Sequence, residues 1–222
     1  MGIIKVGQIC ETCKESKDCQ GHFGHLKLVE PIFNIGYFSF VEKVLRCICH
    51  NCGRLKYFKT EEQREKFNEV IKIKSASKRL RELTKLLLNV NKCALHDEKG
   101  DKFGCGSTIP TKITVKDKMM VMVVDKAVKR QGEMEYSALK VKAIFDKIPD
   151  EDRRLLGFTA TKPSDMIISI LAISPPQVRP SIELGPEKRA EDDITNAYCR
   201  IVVLNNRLKE GLDSHAKRET LR

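Results

Sequence analysis

Tryptophan is absent from the 222 residues, and aromatic side chains make up only 6% of them. A chain of this length holds one large domain or two small ones, and so few rings leave it a thin core. Uncharged apolar runs stay well below the roughly 18 residues that a membrane-spanning helix needs, and 32% of the chain is charged. The opening MGIIKVGQIC has too few apolar positions for a secretory leader. The expectation is an intracellular, soluble chain without a membrane partner. Internal repeats and low-complexity segments are also missing.

Cysteine is abundant, with nine residues. An odd count cannot pair completely within one chain, and in a reducing compartment metal ligation is the expected use. The formal charge is +11. Seven thiolates and two divalent ions would bring it to about +8, still basic enough to favour polyanions, nucleic acid first.

The cysteine spacings point to two zinc sites. Cys10 and Cys13 have the C-x2-C spacing that folds two sulfurs onto one ion. Cys19 and His22 repeat the two-residue gap and complete a tetrahedron. Three thiolates and an imidazole leave no open position, so the site reads as structural. In the second site Cys49 and Cys52 form the knuckle, and Gly53 after them permits a positive φ. Cys105, also followed by glycine, and Cys93 supply the other two ligands. Cys47 is an alternative to Cys49, and His96 to Cys93. A ligand set with no open position and no general base argues against a zinc hydrolase. His25, next to the ligands in GHFGH, is a candidate to orient the first site.

Leu26 to Phe40 reads as an extended apolar stretch. Residues 60–90 read as two helices, with Thr60 and Gln63 as a capping box. Leu80, Leu83 and Leu87 form the apolar stripe of the second, opposite Lys78, Arg79, Arg81 and Lys85. Ile113 to Val124 looks like a strand. A helix is expected from Ser137 to about Ile148, with Leu139, Ala143, Ile144 and Ile148 on one side and Pro149 as its stop. A short helix comes next, ending at Gly157. The prolines of ISPPQVRP favour extended backbone. From Asp192 to about Leu212, Ile194, Tyr198, Ile201, Asn205, Leu208 and Leu212 keep to a heptad seam with one polar position, Asn205. SHAKRETLR carries no helix-ending signal, as if the sequence were cut there.

In order along the chain, these motifs resemble the largest subunit of multisubunit RNA polymerases. CETCKESKDCQGHFGHLKL is similar to its first zinc motif. CHNCGRL, Cys93 and GCGSTIPT resemble its second. LLGF, SPPQVRPSIEL and EDDIT resemble the family's next segment, which leads into a long helix. Within the family the spread-out Cys93 and Cys105 followed by STIPT look most like eukaryotic polymerase II. Two departures stand out. The first zinc loop is one residue short, with Gln20 in place of a usual proline. Ser164-Asp165 replaces a common Glu-Trp, so packing there must differ.

The resemblance implies an α+β, zinc-stapled clamp module with several helices, short antiparallel strands and a C-terminal long helix leading to a coiled coil. Its segments would be a zinc-binding region 1–110 with a helical insertion 60–90, a mixed core 111–190, and the start of the clamp helix 191–222. It implies two structural Zn2+ ions and a clamp closing over DNA and the RNA–DNA hybrid. It also implies contacts with other polymerase subunits and transcription factors, and a nuclear location in a eukaryote (cytoplasmic otherwise). The family's Mg2+-binding NADFDGD motif is not in this sequence, so no catalytic residue is assigned and Mg2+ belongs to the full-length subunit. Arg179, Arg79 and Arg81 are the candidates for phosphate contact. The competing reading is a stand-alone zinc-ribbon adaptor that binds a protein partner through its C-terminal helix.

Overall fold

The computed structural model describes residues 2–3, 7–56, 61–96, 103–110, 112–116, 120–124, 133–185 and 188–220. The fold is α+β, and the chain forms two compact units, residues 32–168 and residues 1–31 with 169–222.

The core of the 32–168 unit is built on helix α1, Phe38–Cys47. Phe38, Val41, Val44 and Leu45 fall on one face at helical spacing, and all are buried. Part of the expected extended stretch is therefore helical: strand β1 covers Gly24–Phe33, and a 3-10 turn at Ile35–Tyr37 leads into α1. Asn34 starts that turn by accepting a hydrogen bond from the Gly36 N–H at 3.0 Å. The helical period of 38, 41, 44 and 45 outweighs local β preference once that face finds a core.

The two helices expected within 60–90 are α2, Glu61–Ile71, and α3, Ala76–Leu86. Leu80 and Leu83 of α3, with Leu87 just beyond it, are at most 2% exposed. The Thr60 capping box lies outside the described residues. The expected strand over 113–124 is two strands, β2 (Lys112–Lys116) and β3 (Met120–Val124), paired antiparallel with Ile113 opposite Val123. The charged run KDK at 116–118 interrupts the apolar pattern between them. Strand β4, Glu133–Tyr136, pairs antiparallel with β3 to complete a three-stranded sheet.

Helix α4, Ala138–Phe145, is capped by the Ser137 hydroxyl, which accepts from the Lys140 N–H at 3.2 Å. Its buried face carries Val141, Ile144 and Phe145, whereas Leu139 is 58% exposed. Helix α5, Asp150–Leu155, opens on three acidic residues that complement the helix dipole. It ends at Gly157, φ +99°, whose N–H donates to the Arg154 carbonyl at 3.1 Å. At the Ser164-Asp165 departure Ser164 is buried, and Asp165 accepts from the Lys162 N–H at 2.8 Å. Asp165 borders an apolar cavity of about 360 Å3 lined by Tyr37, Phe40, Leu80, Leu156, Phe158 and Met166.

In the other unit, β1 pairs with β5, Ile167–Ile173. The ISPPQVRP segment contains one 3-10 turn, Pro176–Val178. Strands β6 (Ile182–Gly185) and β7 (Lys188–Ala190) pair antiparallel. Helix α6 runs from Asp193 to Thr220, past the expected end near Leu212. Asp192 caps it, its Oδ1 accepting from the Ile194 N–H at 2.8 Å. Among the described residues no helix is long and apolar enough to cross a membrane.

Candidate metal centres

Two knuckles with the same backbone plan carry the cysteines. In the first, the Cys10 N–H donates to Glu15 O at 2.8 Å and the Lys14 N–H to Cys10 O at 2.8 Å. In the second, the Cys49 N–H donates to Arg54 O at 2.8 Å and the Gly53 N–H to Cys49 O at 2.9 Å. Each turn needs positive φ at the residue after the second cysteine, +62° at Lys14 and +76° at Gly53. Glycine is obligatory in the second: a Cβ on Gly53 would stand 2.6 Å from the Lys147 carbonyl carbon.

The knuckles gather two tetrads. Cys10, Cys13, Cys19 and His22 form one, and Cys49, Cys52, Cys93 and Cys105 the other. Within each, the four donor atoms lie within 4.8 Å of one another. The Cys19 Sγ–His22 Nε2, Cys49 Sγ–Cys105 Sγ and Cys52 Sγ–Cys93 Sγ edges are each 3.6 Å. Four sulfurs placed tetrahedrally about 2.3 Å from an ion would be separated by about 3.8 Å. Both tetrads are therefore dimensioned for a tetrahedral ion and could hold one, with every coordination position filled by protein.

The neighbours of each tetrad are equally specific. Gly21, φ +88°, lies between two donors, and a Cβ there would come 2.6 Å from Gln177 Oε1 and 2.7 Å from Pro175 Cβ. The proline segment thus packs on Gly21, between two donors of the first tetrad. At the second, the Cys93 N–H donates to Ser107 O at 2.9 Å and the Ile109 N–H to Asn91 O at 2.9 Å, which sets Cys93 and Cys105 on facing arms. The Asn51 amide donates to the Ser107 hydroxyl at 3.0 Å, and Cys105 Sγ lies 3.2 Å from that hydroxyl.

The thiols are electrostatically unequal. Hydrogen bonding led by the Cys13 N–H brings Cys10 down to about 6. Burial opposes ionisation of Cys105, but the Ser107 hydroxyl and N–H and the Asn51 amide overcome it, again to about 6. Burial raises Cys49 and Cys93. The raised thiols hold protons that a divalent cation would displace.

The alternative ligands stand apart. Cys47 is fully buried beside Thr84 Oγ1 at 3.5 Å, with its thiol pushed by burial up to about 11. His96 is exposed. His25 is exposed on β1 and belongs to neither tetrad. His50 is half-buried, with Nε2 3.0 Å from Leu45 O and Nδ1 3.3 Å from the Tyr136 hydroxyl. Burial lowers its pKa to about 4, so its ring is neutral.

Two of the three arginines proposed for phosphate are tied to their own units. Arg79 donates to the carbonyls of Leu155, Ile73 and Arg154 at 2.8, 2.8 and 3.2 Å. Arg179 donates to Ser174 O and Thr195 Oγ1, both at 3.0 Å, and stacks over the Tyr198 ring at 5.6 Å. Arg81 is exposed, 3.4 Å from Glu82. Sequence reasoning missed Lys56, which is 4% exposed behind the second knuckle. Burial lowers its pKa while the Cys47 and Cys49 sulfurs raise it. No periodicity marks a buried lysine in so short a loop.

Fold and site together define an α+β protein with two closed, cysteine-rich four-donor clusters. The chain belongs to the family described as RNA polymerase Rpb1, domain 1, whose model matches residues 1–222. It is 31% identical over 223 residues to "DNA-directed RNA polymerase II subunit RPB1" of Euplotoides octocarinatus, covering 96% of this chain and 46% of that protein. It is 34% identical over 230 residues to "DNA-directed RNA polymerase II subunit RPB1-B" of Trypanosoma brucei brucei, covering 92% and 13%. With the archaeal "DNA-directed RNA polymerase subunit Rpo1N" of Sulfolobus acidocaldarius it shares 32% over 227 residues, covering 97% and 24%. The chain spans less than half the length of these curated relatives.

Proposed function

We propose that this chain serves as the zinc-stapled clamp of a DNA-directed RNA polymerase's largest subunit, holding DNA and the RNA–DNA hybrid while other parts of the enzyme perform nucleotidyl transfer. The observation that carries the reading is the pair of tetrads, Cys10/Cys13/Cys19/His22 and Cys49/Cys52/Cys93/Cys105, within a chain whose whole length matches the Rpb1 domain 1 family. Zinc is the fitting ion. Seven thiolates and one imidazole are soft donors, both sites are tetrahedral in dimension, and neither leaves a position for water. The ions would act as folding energy, on the order of 10 kcal/mol per site, and stiffen units with few aromatic residues. Neither centre would take part in chemistry. The Mg2+ of RNA synthesis would belong to the full subunit.

Partners come from the same reading: other polymerase subunits, transcription factors on the clamp, and nucleic acid. Nuclear residence applies if the cell is eukaryotic. Of the three arginines, Arg81 is the best placed to reach phosphate, because Arg79 and Arg179 spend their donors on carbonyls and a hydroxyl.

Purification of the tagged chain from its own cells tests the proposal. It should bring down a complex that makes RNA from a DNA template and contains the second-largest polymerase subunit. A chain recovered without template-dependent RNA synthesis would sink it.

The exposed apolar side chains of α6, Ile194, Val202, Val203, Leu204, Leu208 and Leu212, favour a helical or protein partner for that element. They suit the approach to a coiled coil. They equally suit the competing reading, a zinc-ribbon adaptor docking through α6. Reading the transcript beyond Arg222 separates the two: continuation into an NADFDGD motif supports the clamp, and an immediate stop supports the adaptor.

A further inference from the structure

Lysine is almost never fully buried unless its charge is compensated, yet Lys56 is 4% exposed. Among the described residues it forms no ion pair with a carboxylate. Its position is set by a short antiparallel pairing in which Ile48 faces Leu55. The Lys56 N–H donates to Cys47 O at 2.9 Å, and the Cys49 N–H to Arg54 O at 2.8 Å. Side chains alternate across such a pair. Ile48 and Leu55 therefore project to one side, and Cys49, Arg54 and Lys56 to the other. Cys47, at the end of α1, packs with Ile48 and Leu55 and keeps a neutral thiol. Arg54 is engaged with the Phe103 ring, 5.1 Å from its centroid.

With a divalent ion bound, the second tetrad would supply the missing negative charge. Four thiolates around a divalent ion carry a net charge of −2, and Cys49 is 1% exposed. A buried dianion needs a nearby cation as much as a buried lysine needs an anion. Lys56 shares the face of Cys49 and lies two residues beyond the backbone contact that anchors it.

We propose that Lys56 is the internal counter-cation of the Cys49/Cys52/Cys93/Cys105 metal centre, a positioning residue whose buried charge holds the metal-bound tetrathiolate and slows loss of its ion. The inference rests on the reading of both tetrads as metal sites and extends it at one centre only. The first tetrad has His22 in place of a fourth thiolate, so its charge with a divalent ion is −1 and it has less need of a buried cation.

The test uses the whole chain, loaded with zinc or with cobalt, and the variants Lys56→Met and Lys56→Arg. Zinc transfer to a colorimetric chelator is monitored, and the cobalt spectrum distinguishes an all-sulfur site from one containing imidazole. Lys56→Met keeps most of the side chain's length and volume and removes its charge. It should release the second-site ion about tenfold faster or more, leave the first site at the wild-type rate, and shift the all-sulfur cobalt bands. Lys56→Arg should restore slow release. Equal release from both sites in Lys56→Met, at either the wild-type or a faster rate, overturns the assignment. A wild-type chain that binds no zinc or cobalt defeats the metal reading itself, a result already visible before any variant is made.

Discussion

The Asn205 carboxamide oxygen accepts a hydrogen bond from the Val29 N–H at 2.8 Å, while its Nδ2 donates to the Lys27 carbonyl at 3.1 Å. One side chain of α6 thus satisfies two backbone groups of β1. This accounts for the single polar residue in the heptad seam: at that point the helix faces strand backbone, where an apolar side chain would leave a donor and an acceptor unpaired.

Asn205→Leu should therefore destabilise the protein by about 1 kcal/mol, although it completes the apolar seam. Amide exchange at Val29 should quicken. Protection at Val29 equal to wild type would show that the contact contributes nothing.

The paired knuckles predict opposite responses to adding and removing a side chain at the positive-φ position. Gly53→Ala adds a Cβ at φ +76° against the Lys147 backbone. It should cost more than about 1 kcal/mol and weaken metal retention at the second tetrad. Lys14→Gly relieves a non-glycine residue at φ +62° and should be neutral or stabilising by up to about 1 kcal/mol. Denaturant melts of the metal-loaded variants give both signs, and a stabilising Gly53→Ala would contradict the knuckle geometry.

Metal counts separate the rival cysteines. If the tetrads are the binding sites, Cys49→Ser should leave about one zinc per chain, because one ligand of a four-ligand site is lost. Cys47→Ala and His96→Ala should each retain about two. Elemental analysis of folded protein decides, and a zinc lost from Cys47→Ala would transfer the ligand role to it.

Asp152 is 5% exposed and accepts the Leu55 N–H at 3.0 Å. Burial raises its pKa above the ordinary 3.8, against the pull of that N–H and Arg54. The folded state thus holds this proton more tightly than the unfolded one. The stability it contributes is present below about pH 3.8 and is lost as pH rises through the raised value. Asp152→Asn keeps an acceptor for Leu55 without the charge, so its stability relative to wild type should improve from acidic to neutral pH. Urea melts across that range measure the difference, and one that stays constant with pH would refute the linkage. Asp152→Ala should cost about 1–3 kcal/mol at every pH because it orphans the Leu55 N–H.

Both knuckles could be read from spacing because knuckle chemistry is local: two cysteines three apart, and a residue after them at positive φ, need no distant partner, whereas Cys93 and Cys105 reach the second knuckle only through the fold. The same holds for α3, whose leucine stripe repeats at helical period, and for the Ser137 and Gly157 signals around α4 and α5. Helix α1 was legible in principle through Phe38, Val41, Val44 and Leu45, but the β-favouring residues around it hid the period. Leu139 was misplaced for a related reason. Its spacing fits a helix face, but which face is buried depends on what packs against it.

Residue types, their short separations and their order were enough for the two knuckles, the basic charge and the polymerase family, because none of these needs a distant contact. Spacing leaves the distant partner of Cys49 and Cys52 open between Cys93 and His96; the fold brings Cys93 and Cys105 to them across 41 and 56 residues. Folding in three dimensions was required to learn which residues share a compact unit, with 1–31 joined to 169–222, and where the long polar side chains go. Arg79 and Arg179 looked like phosphate ligands because a guanidinium carries the same charge in any setting. Only the fold brings carbonyls to within 3.2 Å of one and a carbonyl and a hydroxyl to 3.0 Å of the other. Lys56 shows the converse: an ordinary lysine in the sequence is enclosed on the cysteine face by chain pairing, and burial turns a common surface charge into a specific one.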